Sequence, residues 1–509
     1  MTVMPDKASF MERAADGNLI PVWREYLPDP ETPVSAYARV RTALRESGRA
    51  THTFLLESVE GGERIGRYSF IGGRPRAIVR ARGDRVEIEE RGGETKVAEG
   101  VEPLEALRSY MERFRPVEAD ADLPPFIGGA VGFLGYDCVH QFEPRVPVCD
   151  RDPLHAPDMV FLVTDAIVVF DRVQHRLKIV ANAFIDGDPE SAYDAAVREI
   201  DFLADALRRP VERMLVDGHE PVDPPEPSSN MTREQYEQAV EKAKEYIRAG
   251  DIIQTVLSQR FEVGHEGDSL DVYRALRSIN PSPYMFLLDM EDSSLVGSSP
   301  EIHVRCEEGE VEVRPIAGTR PRHLDAVEDR RLEAELLADP KERAEHIMLV
   351  DLARNDIGRV CRAGSVQVPD LMTIERYSHV MHIVSDVTGT LAPGYDGYDL
   401  LRATFPAGTV SGAPKIRAME IIAELERMKR GPYAGAVGYI SFDGNLDTCI
   451  TIRTIILDGG KAYVQAGAGI VADSVPANEY EETRNKARGM LTALALAGRF
   501  REARGEVSP

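Results

Sequence analysis

Hydrophobic and polar positions along the 509 residues fall into two regimes on either side of a short polar stretch. In the first, short apolar runs alternate with turn residues. "THTFLLES" and "GRYSFIG" flank a Gly-rich turn at Gly61-Gly62, and "MVFLVTDAIVVF" and "RLKIVANAF" flank "DRVQH", which reads as a hairpin. The run "MVFLVTDAIVVF" is the longest apolar segment. It is broken by Asp165 and too short for a membrane span, so it reads as a buried strand. A helix, "SAYDAAVREIDFLADALRR", closes this part. Residues 219–230, "HEPVDPPEPSSN", form a Pro/Ser linker.

The second regime opens on a helix. Thr232 and Gln235 make a capping-box pattern, Tyr236, Val240, Ala243 and Ile247 recur at helical spacing, and Gly250 is placed to end it. Strands adjacent in sequence and joined by tight turns then mix with helices. The pattern predicts an α+β fold in which large, mainly antiparallel sheets carry helices on their outer faces.

Turn positions predict registers. In "EIHVRCEEGEVEVRPIAGT" a turn at Glu308-Gly309 sets Glu301 opposite Ile316, beside Ala317, Gly318 and Thr319. Glu301 reads either as a solvated strand-end carboxylate or as one facing a pocket. "PYAGAVGYISFDGNLDTCITIRTIILDGGKAYVQAGAG" reads as three strands with turns at Asp443-Gly444 and Gly459-Gly460, which puts Tyr433, Arg453 and Gly467 level. Arg453 then shares a face with Thr451 and Cys449, with Ile450 and Ile452 opposite. An Arg beside a "GAG" backbone offers a planar fork and unobstructed N–H donors to a carboxylate. An Arg on a wet sheet face is the other reading.

Two helices carry carboxylates. "KERAEHIMLVDLARND" is apolar at Ile347, Leu349, Val350 and Leu352, with Gly358 as its stop, and Glu345 shares a face with Leu349. In "SVPANEYEETRNKARGMLTALALAG", Ser474 can cap, Pro476 suits the first turn, and Glu479, Glu482 and Lys486 share a face. Two helices aiming carboxylates at one pocket could hold Mg²⁺. Glu-rich faces are otherwise solvated, and spacing alone does not bring the two helices together.

Composition narrows the class. Hydrophobic residues make up 43% and charged residues 29%, and the formal net charge is -24. That composition is globular, and its charge argues against a nucleic-acid or membrane partner. An anionic substrate would need local Arg, Lys or a metal ion. Cys138, Cys149, Cys306, Cys361 and Cys449 form no CxxC pair, so neither a disulfide framework nor a zinc site is expected, which fits a cytoplasmic location. The start, "MTVMPDKASFMERAADG", lacks the apolar core of a signal peptide.

Assembled in order, "LLESVEGGERIGRYSFIG", "NPSPYMF", "GSSPE", "PIAGTRPR", "EHIMLVDLARNDIGRV", "HVMHIVSDVTG", "FPAGTVSGAPK", "GPYAGAVGY" and "GAGIVADSVPANEYEETRNKA" resemble the chorismate-utilising enzymes over nearly the whole chain. Within that family they are most similar to the anthranilate synthase component I branch. The resemblance implies a sandwich of two large sheets with outer helices and a deep cleft for chorismate. It also implies a reaction in which ammonia adds at C2 as the 4-hydroxyl leaves. Pyruvate is then eliminated to give anthranilate, the first committed step toward L-tryptophan.

Residue by residue, it implies Glu345 and Glu482 as Mg²⁺ ligands, with Glu479 acting through water. Arg453, Tyr433 and the amides of Gly467, Ala468 and Gly469 would hold the enolpyruvyl carboxylate, and Gly318 and Thr319 would line the ring pocket. Glu301 is the candidate general acid, so a raised pKa is expected of it. His382 corresponds to the family's active-site histidine, and Lys486 and Thr409 are further pocket candidates. Gln254 stands where water-adding relatives carry a Lys base. Ala317 stands where aminodeoxychorismate-forming relatives carry Lys. Both set the chain apart from isochorismate, salicylate and aminodeoxychorismate synthases.

"LLES" and "PYM" resemble the family's tryptophan feedback site, which implies Glu57, Ser58, Pro283, Tyr284 and Met285. Residues 1–218 become a regulatory region and 231–509 the catalytic domain. With no Cys-His amidotransferase signature in the sequence, glutamine would be used only through a separate amidotransferase subunit, in a heterotetramer of two of each. A tryptophan-binding regulatory subunit without catalysis is the alternative of a different class. Arg320 and Arg322 stay open between a structural role and substrate contact.

Overall fold

Apolar runs too long for one strand are cut by a polar residue, and the cuts mark where the chain changes sheets. The computed structural model describes residues 2–28, 31–59, 66–210, 216, 222–377 and 380–505. It contains two antiparallel sheets of twelve strands each. The run "MVFLVTDAIVVF" is two strands rather than one: Met159–Thr164 lies in the second sheet and Ala166–Asp171 in the first. Asp165 turns the chain between them and is held by Arg76 at 3.0 Å and Arg91 at 2.9 Å. Every residue of both strands is buried, because both sheet faces are covered. The hairpin at "DRVQH" forms, with Asp171 opposite Arg176. The Gly61-Gly62 turn lies outside the described residues.

Inside the sandwich, Phe54, Phe70, Phe286, Val131, Phe133 and Tyr439 form a core drawn from both sheets. Each outer face packs its own helices. Pro33–Glu46, Pro189–Leu207, Ser269–Ile279 and Pro476–Ala503 cover the first sheet, and Pro103–Met111, Pro340–Gly358 and Gly397–Thr404 the second. Both sheets and these cores take residues from either side of 219–230, so the polar stretch divides the sequence without dividing the packing.

The segment read as three strands is four strands in two sheets. Leu446–Ile450 belongs to the second sheet and Thr454–Asp458 to the first, and Arg453 turns the corner at φ 51°. Beside it, Ser293–Ser299 in the first sheet continues as Ile302–Glu307 in the second, through Pro300 and Glu301. These two crossings are neighbours in both sheets. The ladder bridges the gap, with Ile450 N donating to Glu301 O at 3.0 Å and Ser298 N to Arg453 O at 3.1 Å.

The Glu308-Gly309 hairpin has the expected register for Arg305, Cys306 and Glu307. Glu301 does not pair with Ile316, however. Ile302 pairs with Cys449 instead, and Ile316–Pro321 pairs with Val380–Thr390. The helix over 476–503 starts with Pro476 in its first turn, but Ser474 is not its cap; Val475 holds that position and the Ser474 hydroxyl accepts from Val471 N. Ile347, expected on the apolar face of Pro340–Gly358, is 41% exposed.

One buried ion pair braces the strands under the cleft. Arg430 is 1% exposed and Glu426 5%. The Glu426 carboxylate accepts from Arg430 Nη2 at 2.6 Å, Arg430 Nε at 2.9 Å, and both the amide and the hydroxyl of Ser258. Arg430 in turn donates to the carbonyls of Val256 and Val410. Glu426→Gln should lower the free energy of unfolding by about 3–5 kcal/mol, because it strands a buried guanidinium. Denaturant unfolding followed by circular dichroism measures this, and a loss under about 1 kcal/mol would contradict the role.

Candidate active site

Where the two crossings meet the strand Lys461–Ile470, a cavity of about 620 Å³ opens. Glu301 and Arg453 reach it from the crossings, Gly467 and Gly469 from the strand, and Thr409 from the turn Gly408–Val410. Ala317, Thr319 and His382 come from a strand pair of the second sheet. Glu345 arrives on one helix, and Glu479, Glu482 and Lys486 on another. Residues that spacing alone could not bring together therefore share one space.

The Gly467 position is tight. A Cβ built there would meet the Tyr433 hydroxyl at 2.7 Å and the Leu257 carbonyl at 3.0 Å. A glycine lets backbone and phenol close up beside Arg453. Among the described residues Arg453 has no carboxylate partner; its Nη1 donates to the Lys486 carbonyl at 2.8 Å. Burial presses its pKa down, while Tyr433 and Glu482 oppose this. A desolvated guanidinium with no resident anion suits an anionic ligand.

Burial pushes the Glu301 carboxyl up to about 7, outweighing Thr409 and the charge of Lys486. His382 is held neutral by burial. Its Nδ1 lies 3.0 Å from the Gly318 carbonyl, which can only accept, so Nδ1 carries the proton and Nε2 the lone pair. Tyr377 sits edge-on to the ring at 5.6 Å.

Glu345 and Glu479 are both raised, first by burial; Glu342 and Glu482 add to it at Glu345, and Glu482 at Glu479. Gln254 Nε2 donates to Glu345 at 3.3 Å, and Lys486 pairs with Glu482 at 2.7 Å. Among the described residues no group of three or more His, Cys, Asp or Glu side chains is drawn together as a metal cage. The acidic wall nevertheless fits a cation that uses one or two carboxylates and fills its remaining positions with water or substrate, as Mg²⁺ does.

One expected pocket residue is displaced, and a second turns its side chain away. Gly318 does not line the cavity. At φ 68° it sits against Leu336 and Glu342, and it acts through its carbonyl on His382. Ala468 is fully buried on the opposite face of its strand, packed with Tyr236 and Ile422, because alternate residues of a strand face opposite ways. Arg320 and Arg322 do not line the cavity: Arg320 bonds Glu335, Asp339 and Glu342, and Arg322 bonds Asp329 and the Tyr377 carbonyl. Sequence reasoning missed Lys341, Gln465 and Asn280 as lining residues. The first two were legible, Lys341 by i, i+4 spacing to Glu345 and Gln465 by i, i+2 spacing to Gly467.

A second cavity, about 960 Å³, is lined by Glu57, Ser58, Pro283, Tyr284 and Met285. Tyr284 donates to Asp447 at 3.0 Å, and Arg305 holds both. The Glu57 carboxylate is fully buried and taken by Arg172, Arg277 and Tyr273, so it has no lone pair to spare for a ligand. Pro283 lines both cavities.

Residues 51–492 match the chorismate binding enzyme family, and the chain belongs to it. It is 50% identical to anthranilate synthase component 1 of Aquifex aeolicus over 489 residues, 95% of this chain and 96% of that one. It is 48% identical to the component 1 of Pseudomonas aeruginosa over 496 residues, 97% and 99% of the two chains. Among solved structures it is similar to anthranilate synthase component I of Streptococcus pneumoniae, with a TM-score of 0.73 and 39% identity over 85% of this chain and 95% of that one. The menaquinone-specific isochorismate synthase of Escherichia coli, at TM-score 0.70 and 18% identity over 96% and 99%, shares the fold.

The Glu301 titration has a consequence for stability. Unfolded, this carboxyl ionises near 4.5; folded, near 7. Between those values the native state holds a proton that the unfolded chain has lost, so its stability falls as pH rises through the window. Glu301→Gln removes that slope. The variant should gain about 1–3 kcal/mol relative to the parent on going from about pH 5 to about pH 8, read from paired denaturant unfolding curves.

Proposed function

We propose that the chain converts chorismate and ammonia to anthranilate and pyruvate, the activity that its relatives' names carry. The observation that bears most weight is the pairing, in one cavity, of an Arg with no carboxylate partner among the described residues and a buried carboxyl whose pKa is pushed up to about 7. Chorismate has two carboxylates, a hydroxyl leaving group and an enolpyruvyl ether. Arg453, the Tyr433 hydroxyl and the open backbone at Gly467 and Gly469 suit one carboxylate. The other would face the wall of Glu345, Glu479 and Glu482, which repels an anion unless a divalent cation intervenes. Glu345 and Glu482 would hold Mg²⁺, with Glu479 behind a water, and the ion would supply charge neutralisation and polarisation of the ring.

Glu301 donates its proton to the leaving 4-hydroxyl. His382 presents the Nε2 lone pair as a base for pyruvate elimination, with Thr319 and Gly318 fixing the ring at Nδ1. Thr409 and Lys486 set the charge around Glu301. Gln254 cannot deprotonate water and Ala317 cannot act as a nucleophile, so both support ammonia attacking the ring directly. Glutamine would serve through a separate amidotransferase subunit, in a heterotetramer of two of each. The enzyme would work in the cytoplasm: the described residues contain no helix long and apolar enough to cross a membrane, and all five cysteines are free. L-Tryptophan would occupy the second cavity against Ser58, Pro283, Tyr284 and Met285, with Glu57 contributing backbone only. It inhibits only if it binds two arrangements of the chain unequally.

Purified protein given chorismate, Mg²⁺ and an ammonium salt at alkaline pH should produce fluorescent anthranilate and lose this activity on chelation. Isochorismate accumulating instead would sink the reading. In the same assay Glu301→Gln should lower kcat by roughly 10²–10⁴-fold. Ser58→Phe should fill part of the second cavity, raise the tryptophan concentration for half-inhibition at least about tenfold and leave uninhibited turnover within about twofold. Unchanged inhibition would remove Ser58 from the site.

A further inference from the structure

Glu301 has a second face. Behind it lies a small cavity of about 40 Å³ lined by Glu301, His303, Asp356, Thr404 and Thr409. Glu301, Thr409 and Leu349 separate it from the large cavity and line both.

His303 is 3% exposed. Its Nδ1 lies 3.2 Å from the Thr448 hydroxyl, which itself donates to the Val304 carbonyl at 3.1 Å. A hydroxyl has one proton, so Nδ1 must be the donor and Nε2 is left with a lone pair. That Nε2 is buried and makes no hydrogen bond of good geometry, although the Thr404 carbonyl lies near the ring. A buried acceptor left unmet is costly. Interiors meet such groups with ordered water, and about 40 Å³ has room for it, at roughly 10–15 Å³ per molecule.

On its far side the small cavity shares a wall with a surface cleft. Leu352 and Asp356 line both it and that cleft, which is about 420 Å³ and flanked by exposed Asp351, Asn355 and Arg359. There Asp356 pairs with Lys415 at 2.6 Å, and Lys415 also donates to the Thr404 carbonyl at 3.0 Å. Polar groups thus run from the surface to the back of Glu301.

We propose that water held by His303 Nε2 in this cavity connects Glu301 to solvent at Asp356–Lys415 and returns a proton to it after each turnover. The inference rests on Glu301 being the acid. In the acid step its O–H bond breaks, and the leaving hydroxyl takes the proton and departs as water. In the return step a cavity water gives a proton to the carboxylate and takes one from hydronium or buffer acid at the Asp356 end, so charge balances. His303 stays neutral throughout and is a positioning residue. The back route matters because bound substrate fills the front cavity while Glu301 is spent.

Two measurements test this. A crystal structure of the whole chain should show an ordered water within about 3.2 Å of His303 Nε2, and a dry cavity overturns the proposal. His303→Leu keeps the bulk and removes the acceptor. It should lower kcat about tenfold, leave the chorismate KM within about twofold and raise the solvent deuterium isotope effect on kcat. His303→Gln, which can hold the water, should recover most of the loss. A Leu variant with the parent's kcat and isotope effect overturns the relay. Glu301→Gln separates the two claims. If its turnover survives, the acid assignment has failed. If it is inactive while His303→Leu is normal, only the relay has.

Discussion

The site depends on a single constraint: two adjacent strands leave one sheet and enter the other side by side without losing their ladder. Backbone bonds at Ile450–Glu301 and Ser298–Arg453 hold the crossing together. Each strand must bend there, and each places a charged residue at the bend. Glu301 and Arg453 therefore occupy a fixed separation set by main chain rather than by flexible loops, the kind of support on which precise chemistry relies. The φ of 51° at Arg453 is part of that bend, and strained backbone of this kind persists only where its surroundings hold it.

Around the crossing, charge is arranged against the bulk character of the chain. The protein carries a formal net charge of -24, which repels anions at a distance. Inside the cavity the cationic groups Arg453, Lys341 and Lys486 line the same space as the carboxylates of Glu345, Glu479 and Glu482. Lys486 pairs with Glu482 and donates to the Gly467 carbonyl at 3.0 Å.

Much of this was legible in the sequence, and the rest failed for identifiable reasons. Local signals held: the capping box at Thr232 and Gln235 and the αL glycine at Gly250 form as read. Hairpin registers held near their turns and failed farther out, because a turn dictates only the pairs it closes. The Glu301–Ile316 pairing is the clear case. The count from Glu308-Gly309 was correct, but Pro315 interrupts the strand and the crossing carries Glu301 to another neighbour. Periodicity cannot see a change of sheet, since an apolar run buried on both faces looks the same before and after it, as around Asp165. Faces within a strand were legible too; alternation alone separates Gly467 and Gly469 from Ala468. What spacing could not supply was the meeting of the helices bearing Glu345 and Glu482. That depends on long-range packing, and only the ordered motif resemblance anticipated it.

The segment Asn280–Pro283 gives the two cavities a physical link. It forms part of the wall of the first cavity, Pro283 belongs to both walls, and Tyr284 continues directly into the second. Asn280 is tied to Ser298, one residue short of the crossing, by a 3.0 Å bond to its hydroxyl, and the same hydroxyl lies 2.9 Å from Ser282. A ligand that moved Tyr284 and Pro283 in the second cavity would pull on the strand that carries Glu301 to the first. Two prolines in that segment make it stiff, so displacement at one end is carried rather than absorbed. Any such coupling would be reciprocal: whatever seated itself against Glu301 and Arg453 would bias the second cavity by the same free energy.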